Sequence, residues 1–215
     1  MDMVAGETKT GRAEQRERSR TRILESAVRL FAERGYEGVR LDEIASAADV
    51  KRSLILYYFN SKDELWRCAA KQVSAAFNAA MHAKIAKARG SSPVDALRAT
   101  IAASLDAFLE EPDFAKFMVR EGGMKGPRVD WLVAHFAYAE VGYGGPELQE
   151  YVGKTILRDV LFSIFLSMAA LGPLMEASLS RVSRKNAPGV HPMTRKNKDE
   201  LVSHLVRFIT SIEAV

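Results

Sequence analysis

Between Thr21 and Leu65 the apolar residues fall into three helical stripes, each ended by a residue suited to a turn. Ile23, Ala27, Leu30 and Phe31 share one face. Gly35 follows at the natural stop, where a left-handed residue closes a helix without a Cβ clash. Leu41, Ile44, Ala45 and Ala48 form a second, short stripe, and Val50, Leu54, Ile55 and Tyr58 a third. Ala45, Asp49 and Ile55 stand at offsets of four and ten residues. A helix-turn-helix needs that sequence of parts: a small residue for close packing, a turn residue tolerant of positive φ, and an aliphatic residue filling the joint. Asp49 stands where glycine is the easy choice, and aspartate tolerates the left-handed region better than most residues.

The remainder reads as helix after helix. Ser61 with Glu64 three later is a capping box, opening a helix that carries Leu65, Ala69, Val73, Ala76 and Ala80 to about Ala86. Gly90 to Pro93 is a break, and the next helix starts near Pro93 with Ala96, Leu97, Ile101, Leu105, Phe108 and Leu109. Pro112 opens another with Phe114, Phe117 and Met118, and Gly122 to Pro127 is a loop. Arg128 to Val141 reads as helix, Gly142 to Pro146 as a second glycine loop, and Leu148 to about Arg181 as a long helix bent at Gly172-Pro173. Arg184 to Lys198 is a basic loop, and Asp199 to Ile212 a closing amphipathic helix with Leu201, Val202, Leu205, Phe208 and Ile209. No β-alternation of useful length and no repeat interrupts this pattern, so the expected class is all-α. The expected domains are a flexible N-terminal arm over 1–19, a helix-turn-helix domain over 20–66 and a helical domain over 67–215.

Composition narrows the partners. The 215 residues are 47% hydrophobic and 27% charged, which is globular and excludes wholesale disorder. The net charge of +4 says little until it is placed: Lys51, Arg52 and Lys62 fall in a stretch without an acid, beside Tyr57 and Tyr58. The single cysteine, Cys68, allows no intrachain disulfide and points to a reducing compartment, the cytoplasm. Met1 to Arg22 is polar and charged, unlike a signal peptide. The longest nearly uncharged apolar run, Val160 to Met175, is short for a membrane span and is broken by Ser163, Ser167, Gly172 and Pro173. It reads as a buried helix.

The run Arg34-Gly-Tyr-Glu-Gly-Val-Arg-Leu-Asp-Glu-Ile-Ala45, with Ala-Asp-Val50 and Ile-Leu-Tyr-Tyr-Phe-Asn-Ser-Lys-Asp-Glu-Leu65, resembles the TetR family of bacterial regulators. The resemblance covers about Arg20 to Trp66 and beyond that is architectural. It implies a three-helix, homeodomain-like DNA-binding domain followed by a helical effector-binding and dimerisation domain; with no catalytic constellation visible, no enzymatic activity is expected. By the same resemblance Lys51 to Tyr57 is the recognition helix. Arg52 and Ser53 face base edges or phosphates, since arginine reads guanine bidentately and serine contacts either base type. Tyr57 corresponds to a phosphate-bonding tyrosine. Tyr58 is either a phosphate contact or a core aromatic. Lys62 corresponds to a lysine that meets a phosphate where a helix N-terminus adds partial positive charge. The chain departs from the family at Val39 and Arg40, where a capping hydroxyl is common, at Lys51 for a common serine and at Leu56 for a common tyrosine. Arg40 can still contact phosphate, but the hydroxyl cap is lost. The basic residues Arg12, Arg16, Arg18, Arg20 and Arg22 either enter a minor groove or belong to a solvated tail, because Glu14 and Glu17 dilute them.

The resemblance also implies a homodimer paired through two helices, about Leu157 to Arg181 and Asp199 to Ile212, on a pseudo-palindromic operator. A small effector would sit in the second domain. Phe117, Met118, Trp131, Phe162, Phe165 and Met168 are the apolar candidates for its pocket, with Arg120, His135 and Tyr138 to orient it. No catalytic motif is visible. His82, His135, His191 and His204 are scattered without metal-ligand spacing, so neither metal nor cofactor is expected. Two rivals remain open: a sequence-independent nucleoid-like DNA binder, which has no preferred site, and a ligand carrier or enzyme with a vestigial helix-turn-helix, which needs a catalytic constellation.

Overall fold

The computed structural model describes residues 4–87, 92–122, 126–132, 134–135 and 198–212. Among these residues every regular element is helical, as expected. The chain divides into two compact units, Met1–Val73 and Ser74–Val215.

The first unit is built from α1 (Val4–Arg34), α2 (Leu41–Ala47), α3 (Arg52–Phe59) and the first turns of α4 (Lys62–Lys87). Over residues 4–19, within the flexible arm expected over 1–19, the chain is helical: α1 begins at Val4, and Ser19 is already buried. Apolar residues are scarce there, but alanine, glutamate, glutamine and arginine are good helix formers. Arg18 pairs with Glu14 at 3.9 Å and Arg20 with Glu17 at 3.8 Å. The buried half of α1 supplies the nucleus, so each further turn adds only the smaller cost of propagation.

Two glycines set the exit from α1. Gly35 takes φ 71°, and its N–H donates to the Phe31 carbonyl at 2.8 Å, closing the helix. At Gly38 a Cβ would collide with the Arg34 carbonyl oxygen, so only a bare backbone passes so close. The helix-turn-helix joint follows the spacing read from the sequence. Ala45 is buried, Asp49 holds φ 51°, and Ile55 is fully buried. The turn closes with the Val50 N–H donating to the Ala45 carbonyl at 2.9 Å. Ile23, Phe31, Ile44, Ile55, Leu65 and Trp66 are all fully buried, each contributing on the order of 1.5–3 kcal/mol of apolar transfer. Because Leu65, Trp66, Ala69, Ala70 and Val73 are buried too, the first unit runs about two helical turns past the boundary expected at Trp66.

In the second unit the described elements are the remainder of α4, α5 (Pro93–Glu110), α6 (Pro112–Gly122), α7 (Pro127–Leu132) and a closing helix, here α8 (Lys198–Ile212). Ser92 caps α5, accepting from the Asp95 N–H at 3.2 Å, with proline at the first helical position as expected. Phe77 stacks on Phe114 at 4.1 Å and meets Phe108 at 4.7 Å between ring centroids, tying α4, α5 and α6 together. α8 packs on α5, and Lys198 Nζ reaches both carboxylate oxygens of Asp106 at 2.8 and 2.9 Å. The stretch 136–197 lies outside the described residues. With it lie the expected end of the Arg128–Val141 helix, the Leu148–Arg181 helix with its bend, and the pocket candidates Tyr138, Phe162, Phe165 and Met168. Among the described residues no helix is long and apolar enough to cross a membrane.

Candidate nucleic-acid interface

α3 is an eight-residue helix with two unlike sides. Ile55 and Phe59 are buried, so they fix which face turns away from solvent. The opposite face leaves Lys51, Arg52, Ser53, Leu56 and Tyr57 exposed. Tyr57 is 66% exposed, a large value for an aromatic ring, whereas Tyr58 is half-buried. The two rings meet edge-on at 5.2 Å, and Tyr58 in turn meets Phe59 edge-on at 6.4 Å. Tyr58 thus braces Tyr57 against the core.

Lys51 is the N-cap of α3 with extended backbone and no side-chain cap bond, because an ammonium has no acceptor to offer. The first turn of α3 contains no acid, so its free N–H groups and the two cations share one end of the rod. Arg52 is steadied from α2: its Nη1 lies 3.4 Å from Asp42 Oδ2. The same oxygen lies 4.0 Å from Arg40 Nη2. Asp42 therefore gathers two of the sequence-derived candidates around one carboxylate. Nothing in a single sequence marks Asp42 for this, since an acid in the first turn of a helix reads as an ordinary dipole contact.

The start of α2 replaces the missing hydroxyl cap in another way. The Arg40 side chain holds only donors and cannot accept from the helix. Glu43 reaches back instead: the Arg40 N–H donates to Glu43 Oε2 at 2.7 Å, and Arg34 Nη1 donates to Glu43 Oε1 at 2.7 Å. Those two bonds, the backbone one first, hold the Glu43 carboxyl below the usual carboxylate range. Arg40 itself remains exposed.

Lys62 opens α4, where the Glu64 N–H donates to Ser61 Oγ at 3.1 Å, half of the expected capping box. Its ammonium lies 4.1 Å from the Tyr36 ring centroid. Tyr36 is stacked at 6.1 Å on Phe31 and stands edge-on to Trp66 at 6.2 Å. Nothing in the sequence marks Tyr36, because a lone aromatic after a helix stop carries no distinguishing spacing. Arg40, Lys51, Arg52, Ser53, Tyr57, Tyr58 and Lys62 thus all lie in the first unit, along α3 and the two helix starts beside it.

The effector candidates in the described part of the second unit are less uniform. Phe117 is fully buried and Met118 half-buried on α6, while Arg120 is exposed. Trp131 stacks on His135 at 4.1 Å, and His135 Nδ1 lies 2.8 Å from the Trp131 carbonyl oxygen. Among the described residues no group of three metal-ligating side chains stands together.

Residues 23–67 match the model of the tetR family of bacterial regulatory proteins. Over 154 residues the chain is 34% identical to the HTH-type transcriptional repressor NicS of Pseudomonas putida, covering 70% of this chain and 72% of that one. Over 57 residues it is 35% identical to the negative transcriptional regulator of the biofilm operon icaADBC, IcaR, of Staphylococcus epidermidis, covering 26% of this chain and 29% of that one. Two crystal structures share the fold. One is HlyIIR, a hemolysin II transcriptional regulator, with TM-score 0.56, 23% identity and coverage of 79% and 95%. The other is FadR of Bacillus subtilis in complex with stearoyl-CoA, with TM-score 0.61, 15% identity and coverage of 88% and 96%. With a helix-turn-helix whose α3 is exposed as described and a relative matched along most of its length, this chain belongs to the tetR family of bacterial regulatory proteins and is a DNA-binding transcriptional regulator.

Proposed function

We propose that the protein is a cytoplasmic, dimeric repressor that releases a pseudo-palindromic operator when a small effector enters its second unit. The observation that carries the reading is the two-sidedness of α3. Its buried Ile55 and Phe59 aim Lys51, Arg52, Ser53 and Tyr57 outward as one edge. In this reading Arg52 and Ser53 enter the major groove and touch base edges. Lys51, Tyr57, Lys62 and Arg40 hold the flanking phosphates, with Tyr58 as the brace behind Tyr57. Two copies related by a two-fold axis place their recognition helices about 34 Å apart, or a multiple of it, to match two half-sites.

α4 belongs to both units, beginning beside the recognition helix and ending against Phe108 and Phe114 through Phe77. An effector that binds one arrangement of the second unit more tightly than another shifts α4 and changes half-site spacing. The differential affinity, and not the tightness alone, sets the size of the response. Phe117, Met118, Trp131 and His135 are the described candidates for effector contact. Repression is favoured over activation because NicS and IcaR are a repressor and a negative regulator.

The test uses DNA from the region upstream of the protein's own gene. Tyr57→Ala with Lys62→Ala is expected to weaken binding and to flatten the salt dependence by about one unit of log–log slope for each phosphate given up. An unchanged slope in that double variant refutes the phosphate assignments. Failure of the wild-type protein to shift any upstream fragment in dilute buffer refutes the operator reading.

A further inference from the structure

Over residues 13–18, α1 is a helix without an interior. Residues 13–18 are exposed one after another, a pattern that no core-facing helix shows. Residues 9–22 hold six cations, Lys9, Arg12, Arg16, Arg18, Arg20 and Arg22, against two carboxylates, Glu14 and Glu17. Their balance equals the net charge of +4 of the whole chain. The position of this charge is anchored at its inner end. Arg22 Nη1 lies 3.9 Å from Asp49 Oδ2 in the turn before α3, and the Arg20 guanidinium stands 5.5 Å over the Phe59 ring of α3. α1 thus draws level with the recognition turn at Arg22. From there to Gly11 it continues for about 16 Å at the helical rise.

We propose that residues 9–22 of α1 form a second DNA-contacting element, lying along the phosphate backbone outside the segment read by α3. The occupant is duplex DNA and not another polyanion, because the rod is fixed beside the turn that presents α3 and α3 serves DNA. The pairs Arg18–Glu14 and Arg20–Glu17 do not consume the charge. They are exposed and at 3.8–3.9 Å, so they are weak, and each guanidinium has five donors. They keep the rod helical while N–H groups remain for phosphate oxygens. The element is indifferent to base sequence and adds affinity and salt dependence, leaving operator choice to α3.

That indifference decides the probe. Full-length protein is titrated with a long mixed-sequence duplex across a range of salt, so the outcome does not depend on finding the operator. Arg12→Gln with Arg16→Gln and Arg18→Gln is expected to weaken binding about tenfold or more in dilute salt and to flatten the log–log slope by about 0.9 for each phosphate no longer neutralised. The matching triple Lys variant is expected to keep the wild-type slope. Trimming the duplex to the length covered by α3 alone should cost the wild type more affinity than the Gln variant. An identical slope for wild type and Gln variant on the long duplex overturns the proposal, as does an equal loss of affinity for the two on trimming. Neither result touches the operator reading, which the upstream fragment tests separately.

Discussion

The Lys62 ammonium lies 4.1 Å from the centroid of the Tyr36 ring, over a face backed by the buried Phe31 and Trp66. A lysine carries about 2 kcal/mol of rotamer entropy, and the ring face confines its head group before DNA arrives. Three N–H donors leave the ammonium able to meet a phosphate while it rests on the ring. Tyr36→Leu is therefore expected to lower operator affinity about threefold to fivefold, the scale of an exposed cation–π contact. Tyr36→Phe should retain the wild-type value. In a Lys62→Ala background Tyr36→Leu should change affinity no further; an undiminished loss there would show that Tyr36 acts through the core alone.

Glu43 ties the start of α2 to the end of α1 through the Arg40 N–H and Arg34. Its carboxyl is held below the usual range, so the stabilisation is present above the unfolded carboxylate value and is lost as pH falls through the folded one. Glu43→Gln should lower the denaturant midpoint at neutral pH. The gap between variant and wild type should close in acid, where both side chains are neutral. Parallel unfolding curves at neutral and acidic pH measure it.

Asp49 occupies φ 51°, a region costing an L-residue roughly 1 kcal/mol or more. Asp49→Gly is expected to stabilise the first unit by about 0.5–1 kcal/mol, and Asp49→Val to destabilise it, in denaturant titration. Ile55→Ala, at the fully buried joint, should cost about 2–5 kcal/mol and remove DNA binding with it.

Cys68 is a half-buried free cysteine on α4. Burial pushes its thiol up, and the Glu64 carboxylate one turn away adds to the effect. The thiolate is the reactive form, so at mildly alkaline pH iodoacetamide should modify Cys68 more slowly than a small free thiol. Glu64→Gln should speed that reaction. Alkylation faster than the free thiol would contradict the assignment.

Lys198 and Asp106 form a half-buried pair joining α8 to α5. Removing either partner leaves the other without its nearest counter-charge. A double-mutant cycle with alanine at both positions is expected to return a coupling of about 1 kcal/mol, between the exposed and fully buried extremes. A coupling indistinguishable from zero would mean that this pair adds nothing to the hold of α5 on α8, leaving it to apolar contacts and to the bond from Arg98 Nη1 to Ser203 Oγ at 3.2 Å.

The recognition joint was legible in the sequence because each of its parts has a local signature. Ala45, Asp49 and Ile55 declare a small packing residue, a left-handed turn and a plug, and the structure places all three in those roles. Ser61 with Glu64, and Pro93 after Ser92, gave helix starts for the same reason. The helix over residues 4–19 was not legible. Its stability comes from extending a helix nucleated downstream, and polar residues without a stripe look identical in a tail and on a solvated rod. Tyr36 and Asp42 were missed because their roles depend on partners brought near by folding: Lys62 in one case, Arg40 and Arg52 in the other.

α3 is bracketed by two non-glycine residues with left-handed backbone, Asp49 at φ 51° and Asn60 at φ 56°. Neither end can fray outward or borrow another turn without undoing a bracket. One residue inserted between them would swing everything after it by about 100° and carry Tyr57 off the edge it shares with Arg52. A rod stopped at both ends tolerates exchange of its teeth but no change in its length. Altered operator preference should therefore come from substitutions at Arg52, Ser53 and Leu56, while the spacing from Asp49 to Asn60 stays fixed.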